Sequence, residues 1–401
     1  MEKRRLPNTE LDVSVLCLGT WAFAGTEEKP DATHGFIEGG QEAINAIVAE
    51  ALAQGINFFD TAEGYADHAS ERALGVALRA SGRQRHEYVI ASKFGSHRGA
   101  EQIAYTGADI RAALAASLEA LGLEYLDLYQ CHWHGNMKDV EDSVKTLTEL
   151  QQEGKIRHYG VCNFGVTQME AFSVALKAAS MHATLATNQL PYNLLWRAIE
   201  FEIVPKCEAI GCGIIAYGPF QEGLLLGKYS QVADVPIGRR RTKHFSQMSS
   251  PLSRHGQAGA EVETFAAVER FTRLASGMGD KTHVAVAWVL RQPAVCSVVM
   301  GCTSVRQVLA NVALLEVSEE QLSDLSKATD PLKLLLGNDA DQYLFAHPPM
   351  RKYTQTQSHK RMLVHAVTCR GPTANPVSQS HTGHRWPCVL LGRWGTPSRI
   401  A

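Results

Sequence analysis

The sequence predicts an α/β fold in which eight parallel strands, each followed by a helix, close into a (β/α)8 (TIM) barrel. Short apolar runs alternate with amphipathic stretches along most of the chain, and this alternation repeats eight times. Such spacing implies parallel strands joined by crossover helices. An open doubly wound sheet is the alternative, but no Gly-x-Gly-x-x-Gly turn follows the first apolar run, which disfavours it.

The strands and helices can be placed from the spacing of apolar residues, which differs between the two kinds of element. Strands are expected at residues 13–18, 57–60, 88–92, 126–131, 157–161, 184–188, 213–216 and 297–300. Helices are expected at residues 41–54, 70–80, 109–121, 140–152, 168–179, 196–210, 284–290 and 305–313, with Asp109 capping one of them. A short β-hairpin is expected before the barrel. Two long connections, residues 25–40 and 228–258, follow the first and seventh strands, at the face where barrels build their sites.

Composition divides the 401 residues into a long acidic part and a short basic one. Residues 1–346 are expected to form the barrel, whereas residues 347–401 lose all periodicity and are rich in Pro, Ser, Thr, His and Arg. The tail holds eight of the 39 basic residues and no acidic one, which leaves 31 basic against 41 acidic side chains elsewhere, a net charge of −10. An acidic body argues against a nucleic-acid groove on the barrel. The tail is expected to be disordered or foreign to the natural product; a basic arm for anionic partners is the alternative.

The cysteines and the lengths of the apolar runs indicate the cellular compartment of the protein. The nine cysteines are scattered and none forms a Cys-x-x-Cys pair, which favours a reduced, cytoplasmic chain over a disulfide framework or a zinc knuckle. The first residues lack the long apolar core of a signal peptide, so we expect none. No apolar run reaches the length of a membrane span.

Four side chains of complementary chemistry follow consecutive predicted strands. Asp60 and Tyr65 come after the second strand, Lys93 ends the third, and His132 follows the fourth. A barrel brings such strand ends together on one face. Taken singly, they could be a turn cap, a rim aromatic, a structural ion pair and a core histidine. Four together at neighbouring strand ends favour an active site.

This set suits carbonyl reduction, which needs an acid to protonate the oxygen. A tyrosine with an ordinary pKa of about 10 is too weak for this at neutral pH. A buried ammonium beside the phenol is expected to lower that pKa, and a carboxylate would hold the ammonium in its charged form. A histidine next to the carbonyl oxygen orients it and stabilises developing charge.

Five segments carry a resemblance to a known family. They are Phe59-Asp-Thr-Ala-Glu-Gly-Tyr65, Ser92-Lys-Phe94, Asp127-Leu-Tyr-Gln-Cys-His132-Trp133, Gly160-Val-Cys-Asn-Phe164 and Ala216-Tyr-Gly-Pro219. In order and spacing the sequence resembles the aldo-keto reductases from about residue 5 to residue 343, in the branch with channel β subunits and bacterial members. The resemblance implies an oxidoreductase whose catalytic tetrad is Asp60, Tyr65, Lys93 and His132.

The resemblance also implies an NADPH site. Asn163 and Gln189 would hold the nicotinamide carboxamide, for which amides that both donate and accept are suited, and Tyr217 would stack on the ring. A pyrophosphate loop and an adenosine-phosphate segment at a helix start supply the remaining cofactor positions. These are Gly218, Pro219, Phe220, Gly223, Lys228, Gly301, Thr303, Gln307 and Asn311. Trp21 and Asp60 also border the cofactor, and the substrate pocket is expected to be lined by Trp21, Tyr65, His132 and Trp133.

The chain departs from the family pattern at three cofactor positions. Gly218 often corresponds to Ser in the family, so one phosphate contact is expected to come from the backbone alone. Cys162 stands where the family usually has Ser, so carboxamide binding is expected to rest on Asn163 and Gln189. Thr303 replaces what is a cation or Ser in many relatives, so the 2′-phosphate of NADPH needs another partner. The candidates are Arg239, Arg240 and Arg306. NADH is therefore the alternative cofactor.

The expected partner is a small carbonyl compound, with no nucleic acid. Trp21, Trp133 and Tyr192 predict an aromatic-lined pocket, and His134 is expected to face the substrate. The conformations of the long loops, which set the shape of that pocket, do not follow from the sequence.

Two other functions compete with the reductase. His132-Trp-His134 could begin the metal site of a hydrolase, but Asn163, Gln189 and Gly301 follow later strands and are poor ligands, so no metal is expected. A nicotinamide-binding regulatory subunit with slow or no turnover, as among channel β subunits, would keep the same cofactor residues. The complete tetrad favours an enzyme.

Overall fold

A closed ring of eight parallel strands confirms the predicted barrel. The structure, a computed structural model, describes residues 1–25, 37–95, 97–98, 101–180, 184–313 and 316–343, so the predictions for residues 347–401 and most of the connection 25–40 lie outside the described residues. The strands are β1 (Lys3–Arg5), β2 (Asp12–Ser14), β3 (Leu16–Gly19), β4 (Phe58–Asp60), β5 (Val89–Phe94), β6 (His97–Arg98), β7 (Glu101–Gln102), β8 (Leu126–Cys131), β9 (Ile156–Cys162), β10 (Thr187–Pro191), β11 (Gly213–Tyr217) and β12 (Val295–Gly301). The ring runs β3-β4-β5-β8-β9-β10-β11-β12 and closes on β3.

Helices follow the strands and cover the outside of the ring. They are α1 (Gly40–Ala53), α2 (Ala69–Ala80), α3 (Gly107–Leu121), α4 (Val140–Gln152), α5 (Val166–Ala179), α6 (Ile203–Ile210), α7 (Glu261–Ala275), α8 (Lys281–Leu290), α9 (Val305–Val312) and α10 (Glu319–Leu336). Short 3-10 turns lie at Trp21–Ala24, Arg85–Glu87, His134–Asn136, Ala198–Glu200, Gln221–Leu226, Val232–Asp234, Ile237–Arg239 and Gln247–Ser249. Every residue of β5 and β8 is buried, as parallel strands covered on both faces require. No helix in these ranges is long and apolar enough to cross a membrane.

The predicted hairpin precedes the barrel. β1 and β2 pair antiparallel, with Lys3 opposite Ser14 and Arg5 opposite Asp12. The hairpin and the turn that joins its strands bury Leu6, Leu11 and Val13 in one apolar cluster with barrel residues that include Phe58 and Val89, near the amino ends of their strands. The buried apolar residues of the hairpin thus close the end of the barrel opposite the strand ends that carry the polar residues.

Two predicted elements are displaced around the sixth strand. The strand expected at residues 184–188 lies at Thr187–Pro191. The helix expected at residues 196–210 is shortened to α6, which begins at Ile203. Pro205 explains the late start, because proline fits the first turn of a helix but lacks the N–H that an interior position must donate.

Two helices, α7 and α10, were missed by the sequence-based prediction because they lie outside the regular alternation. They pack against each other, and Arg270 on α7 donates to the carbonyl of Ala328 on α10 at 2.7 Å. Arg197 also anchors α10, through the carbonyl of Ser326 and the carboxylate of Asp330. The extra pair brings the segment after α10 back to the carboxyl ends of the strands.

We expect Gly75→Ala to destabilise the barrel, although Ala normally stabilises a helix interior by about 1 kcal/mol relative to Gly. A Cβ on Gly75 would lie 2.3 Å from the carbonyl oxygen of Leu121 at the end of α3. Relieving that overlap should cost about 1–3 kcal/mol of unfolding free energy, measured by urea denaturation. Gly238→Ala is the control, since no atom lies within 4 Å of its Cβ position. A Gly75 variant more stable than wild type would contradict this packing.

Candidate active site

A cleft of about 500 Å³ opens at the carboxyl ends of the barrel strands. Its walls include residues that follow β3, β4, β8, β9 and β11, together with parts of the long connection after β11 and of the segment after α10. The lining residues are Gly19, Thr20, Trp21, Asp60, Gly64, Tyr65, Gly95, His132, Trp133, Cys162, Asn163, Gln189, Tyr217, Gly218, Gln221, Glu222, Arg241, Arg254, Val299, Gly301, Gln342 and Tyr343. Concave sites of this size at the strand ends are where barrel enzymes bind their ligands.

The four residues predicted to be catalytic come together at this cleft. Lys93 is fully buried in β5, and its Nζ lies 2.7 Å from Oδ2 of Asp60 at the end of β4. The same Nζ donates to the carbonyl of Thr61 at 2.9 Å and lies 3.3 Å from the hydroxyl of Tyr65. A charged amine thus bridges a buried carboxylate and a phenol that faces the cleft.

Burial dominates the acidity of the phenol. It raises the pKa of Tyr65 to about 12, although the charge of Lys93 acts in the opposite direction. The sequence-based expectation was a lowered pKa, so its sign is wrong for the free protein, because desolvation outweighs the ammonium. Burial also opposes the charged form of Lys93, but the Asp60 carboxylate, together with the other polar groups around the amine, outweighs burial, and the pKa of Lys93 is raised. At neutral pH the phenol therefore keeps its proton and the amine keeps its charge.

His132 completes the predicted group. It follows β8, and its ring lies edge-on to that of Tyr65, with centroids 5.9 Å apart. Trp133 stacks against His132 at 6.2 Å, and Trp21 is 40% exposed at the cleft. Trp21, Tyr65, His132 and Trp133, the four residues expected to line the substrate pocket, all line the same cleft.

The two amides predicted to hold a carboxamide face the same cleft. Asn163 follows β9 with a φ of 60°, accepts from the Tyr217 hydroxyl at 2.8 Å and donates to the carbonyl of His132 at 3.2 Å. Gln189 on β10 donates to Oδ1 of Asp60 at 2.8 Å. The Asn163 amide nitrogen donates to the Cys162 sulfur at 3.2 Å, and the Cys162 thiol donates to Oε1 of Gln189 at 3.7 Å, so the thiol contacts both amides.

The remaining predicted cofactor residues divide into two groups. Gly218 and Gly301 line the cleft, and a Cβ on either would meet no atom within 4 Å, which leaves room for a ligand to approach the backbone. The others lie outside the lining residues. They are Pro219, Phe220, Gly223, Lys228, Thr303, Gln307 and Asn311.

Several of these outer residues occupy the start of α9 and the loop after β11. Ser304 caps α9, and the Gln307 side chain accepts from the backbone N–H of Thr303 at 2.8 Å. Asn311 is buried and donates to the Cys302 sulfur. Lys228 is exposed. The cleft and its surroundings thus combine two side-chain amides, an aromatic ring, two glycines with free space beside them and a helix N-terminus. This set of groups fits a nicotinamide dinucleotide.

The three arginines predicted as partners of a 2′-phosphate differ in whether they already make hydrogen bonds. Arg239 and Arg240 already donate hydrogen bonds within the connection that follows β11. Arg306 is exposed in the first turn of α9. Of the three candidates, Arg306 is therefore the best placed for an anion at that helix start.

Sequence reasoning missed one wall of the cleft. Arg241 and Arg254 reach it from the long connection after β11, and Gln342 and Tyr343 reach it from the segment after α10. The only sequence signal was the run of cations at residues 239–243. No periodicity relates these distant segments.

Two aromatic predictions are wrong. Tyr192 is fully buried, donates to Glu200 at 3.0 Å and packs edge-on against Trp288. His134 packs against Phe164 at 5.5 Å instead of lining the cleft, and burial lowers its pKa. Among the described residues, no three His, Cys, Asp or Glu side chains are grouped so that they could hold a metal ion.

A left-handed turn fixes the backbone directly after Tyr65. Residues 66–68 have φ of 50°, 51° and 62°, which costs non-glycine residues energy and persists only where the surroundings enforce it. His68 contacts the buried carboxylate of Glu71 at 2.5 Å, and that carboxylate accepts from the Ser92 hydroxyl at 2.6 Å. The turn is thereby anchored to β5 next to the lysine.

Fold and site together define a barrel oxidoreductase, and comparison with known proteins gives its family. The Aldo/keto reductase family profile matches residues 15–330, and the chain belongs to this family. The chain is 29% identical over 335 residues to a candidate voltage-gated potassium channel subunit beta of Schizosaccharomyces pombe, covering 82% of this chain and 92% of that protein. It is 30% identical over 334 residues to the NADH-specific methylglyoxal reductase of Escherichia coli, covering 79% of this chain and 94% of that enzyme.

A solved structure supports the same assignment. The glycerol dehydrogenase AKR11B4 of Gluconobacter oxydans is 30% identical, with a TM-score of 0.63 over 82% of this chain and 94% of that one. Relatives thus come from both the channel β-subunit-like and the bacterial branch, as the resemblance implied. The chain is accordingly an oxidoreductase that acts on carbonyl compounds, in a family that uses nicotinamide cofactors.

We expect the buried pair of Asp60 and Lys93 to behave as one unit in stability. Asp60→Asn and Lys93→Met should each lower the unfolding free energy by about 3–5 kcal/mol, because each leaves one buried charge without its partner. The double variant should regain most of that loss. Urea denaturation at pH 7 measures all three.

The control for this cycle is the exposed pair of Arg111 and Glu149, separated by 2.6 Å. Arg111→Met should cost less than about 1 kcal/mol, since exposed pairs contribute little. Losses that simply add in the double variant would show that Asp60 and Lys93 do not interact as the distance indicates.

Proposed function

We propose that this protein reduces small aldehydes or ketones to alcohols with NADPH, in the cytoplasm. One observation carries the proposal. The fully buried Lys93 lies within hydrogen-bonding distance of both the Asp60 carboxylate and the Tyr65 hydroxyl, at the base of a cleft that His132 also lines. A carboxylate, an amine and a phenol in this order can deliver a proton from the phenol to a carbonyl oxygen.

Each residue has a separate task. Tyr65 donates its proton to the carbonyl oxygen of the substrate. Lys93 stabilises the phenolate that remains, and Asp60 holds Lys93 charged and in place. His132 hydrogen-bonds the same oxygen and fixes its direction. The high pKa of Tyr65 in the free protein means that the donor is fully protonated at neutral pH.

The residues that would hold the cofactor surround this group. Asn163 and Gln189 would bind the carboxamide and Tyr217 would lie against the ring, with the open glycines 218 and 301 bordering the path of the dinucleotide. When bound, the reduced nicotinamide supplies the hydride that the carbonyl carbon accepts. Trp21 and Trp133 exclude water from the reacting face.

The choice of NADPH over NADH rests on the start of α9. Arg306 is exposed in the first turn of that helix, where the helix dipole favours an anion such as the 2′-phosphate. The E. coli relative is named as NADH-specific, so membership of the family does not by itself decide the cofactor.

We expect Tyr65→Phe to lower kcat for NADPH-dependent reduction of benzaldehyde by at least about 100-fold, since general acid catalysis contributes about 10²–10⁴-fold. The dissociation constant of NADPH, measured by fluorescence titration, should stay within about twofold. Tyr125→Phe is the control, because it removes a hydroxyl from a residue that lies before β8, away from the cleft.

The alternatives give different outcomes in the same experiment. Full activity in Tyr65→Phe would overturn the proposed acid. A wild-type protein that binds NADPH without turnover would favour a cofactor-binding regulatory subunit, as among relatives named for channel β subunits. A protein that binds no nicotinamide cofactor would overturn the assignment of the whole site.

We expect Arg306→Gln to raise the KM for NADPH about tenfold and to leave the KM for NADH nearly unchanged, since one charge-assisted contact to phosphate is worth about 1.5–3 kcal/mol. Steady-state kinetics with each cofactor measures the effect. Arg291→Gln is the control, because this exposed arginine pairs with Glu319 outside the cleft. Equal losses with both cofactors would contradict a role in binding the 2′-phosphate.

A further inference from the structure

Residues 239–243 hold four cations, and three of them have partners. Arg239 donates to the carbonyl of Glu222 at 3.2 Å and to the hydroxyl of Tyr229 at 3.0 Å. Arg240 donates to two backbone carbonyls of its own connection. Lys243 is buried and pairs with Asp339 at 2.7 Å. Each of these cations therefore has a structural task.

Arg241, the fourth cation, differs from its neighbours. It lines the cleft, its Nε is buried, and its guanidinium makes no hydrogen bond or ion pair with any residue that the structure describes. Its one described interaction is with the ring of Tyr343, whose centroid lies 5.7 Å from Cζ. Partial burial of a charge without a partner is costly, so a cation kept in this state indicates a ligand.

The position of Arg241 is fixed on both sides. The neighbouring Arg240 is bound to its own loop, and the backbone N–H of Lys243 donates to the carbonyl of Gln342 at 3.1 Å. Tyr343, against which Arg241 lies, donates its hydroxyl to Glu222 at 3.0 Å. Because the backbone on both sides of Arg241 is held and its Nε is buried, the side chain has fewer orientations to lose when it binds a ligand.

The charges around Arg241 leave an anion site open. Glu222 also lines the cleft, but its carboxylate accepts the Tyr343 hydroxyl, and the buried carboxylate of Asp341 accepts the backbone N–H of Tyr343. Arg254 adds a second guanidinium to the lining. On this side of the cleft, two guanidinium groups therefore face one carboxylate that already accepts a hydrogen bond, which leaves the local charge positive.

The position of Arg241 in the cleft favours a substrate anion over a cofactor phosphate as its ligand. Arg241 shares its cavity with Tyr65 and His132, where the substrate is expected to react. Gly218 and Gly301 of the expected cofactor path line the same cavity, but Lys228 and Thr303, the side chains expected nearest the cofactor phosphates, do not. We infer that Arg241 binds an anionic group of the substrate, and that the natural substrate is an aldehyde or ketone bearing a carboxylate or a similar anion. This inference rests on the proposed reductase function.

The test compares a charged aldehyde with a neutral one of the same shape. We would measure kcat/KM for 4-formylbenzoate and 4-formylbenzamide at saturating NADPH, in wild type, Arg241→Met and Arg273→Met. Arg273 is exposed on α7 and controls for the loss of one positive charge. Arg241→Met should lose about 10- to 100-fold on the acid and less than about twofold on the amide, the expected value of a charge-assisted hydrogen bond.

A second measurement does not depend on turnover. Calorimetry with 4-methylbenzoate, which the protein cannot reduce, should show binding to the NADPH-saturated wild type and to Arg273→Met, but not to Arg241→Met. The dissociation constant of NADPH, from fluorescence titration, should be the same in all three proteins.

The outcomes separate the two proposals. Equal losses on acid and amide, or no binding of 4-methylbenzoate to an active wild type, would overturn the substrate anion site and leave the reductase standing. Tenfold weaker binding of NADPH to Arg241→Met would also overturn it, because the anion would then be a cofactor phosphate. Binding of 4-methylbenzoate that depends on Arg241, in a wild type without turnover, would support the anion site and contradict the reductase.

Discussion

The ion pair between Lys93 and Asp60 is the interaction on which the rest of the site depends. A buried ammonium and carboxylate remain charged only when they pair closely and their other polar atoms are satisfied. Here the remaining partners come from strand ends, through the carbonyl of Thr61 and the amide of Gln189. Since β4 and β10 lie opposite each other in the ring, the bond from Gln189 to Asp60 crosses the barrel. One buried pair thus fixes the relative positions of β4, β5 and β10.

The two ends of the barrel support this pair in different ways. At the amino ends of the strands, Leu6, Leu11 and Val13 pack into one apolar cluster with residues of the ring. The charges of Lys93 and Asp60 therefore have an apolar layer on this side. At the carboxyl ends, the cleft opens next to Tyr65 and His132. A low dielectric on one side strengthens the attraction between the charges, and it also explains why burial, and not Lys93, sets the pKa of the free phenol.

Most of the barrel could be predicted from the sequence, because its eight-fold alternation follows a local pattern, as do the polar residues at the ends of its strands. The failures have identifiable physical causes. Pro205 delays α6, and Thr106 caps α3, whereas Asp109, predicted as the cap, closes the capping box from inside the helix. Tyr192 was placed in the pocket because it is aromatic, yet it lies in the core against Trp288. Aromatic character does not distinguish a core position from a rim position. The sign of the Tyr65 pKa required the degree of burial, which no sequence pattern contains.

The wall that holds Arg241 could not be predicted at all, because it joins segments about 100 residues apart through buried polar contacts. Gln221 donates to Nδ1 of His244 at 3.1 Å and to Gln342 at 3.0 Å, and Nε2 of His244 donates to the carbonyl of Leu195. Burial lowers the pKa of His244 to about 4, so the ring stays neutral and can accept at one nitrogen while it donates at the other. Because each buried group in this network needs its partner, the connection after β11 is held in one conformation. In the function we propose, the chemistry therefore resides in strand ends that a local pattern reveals, whereas selectivity among carbonyl compounds resides in a wall that only the folded chain assembles.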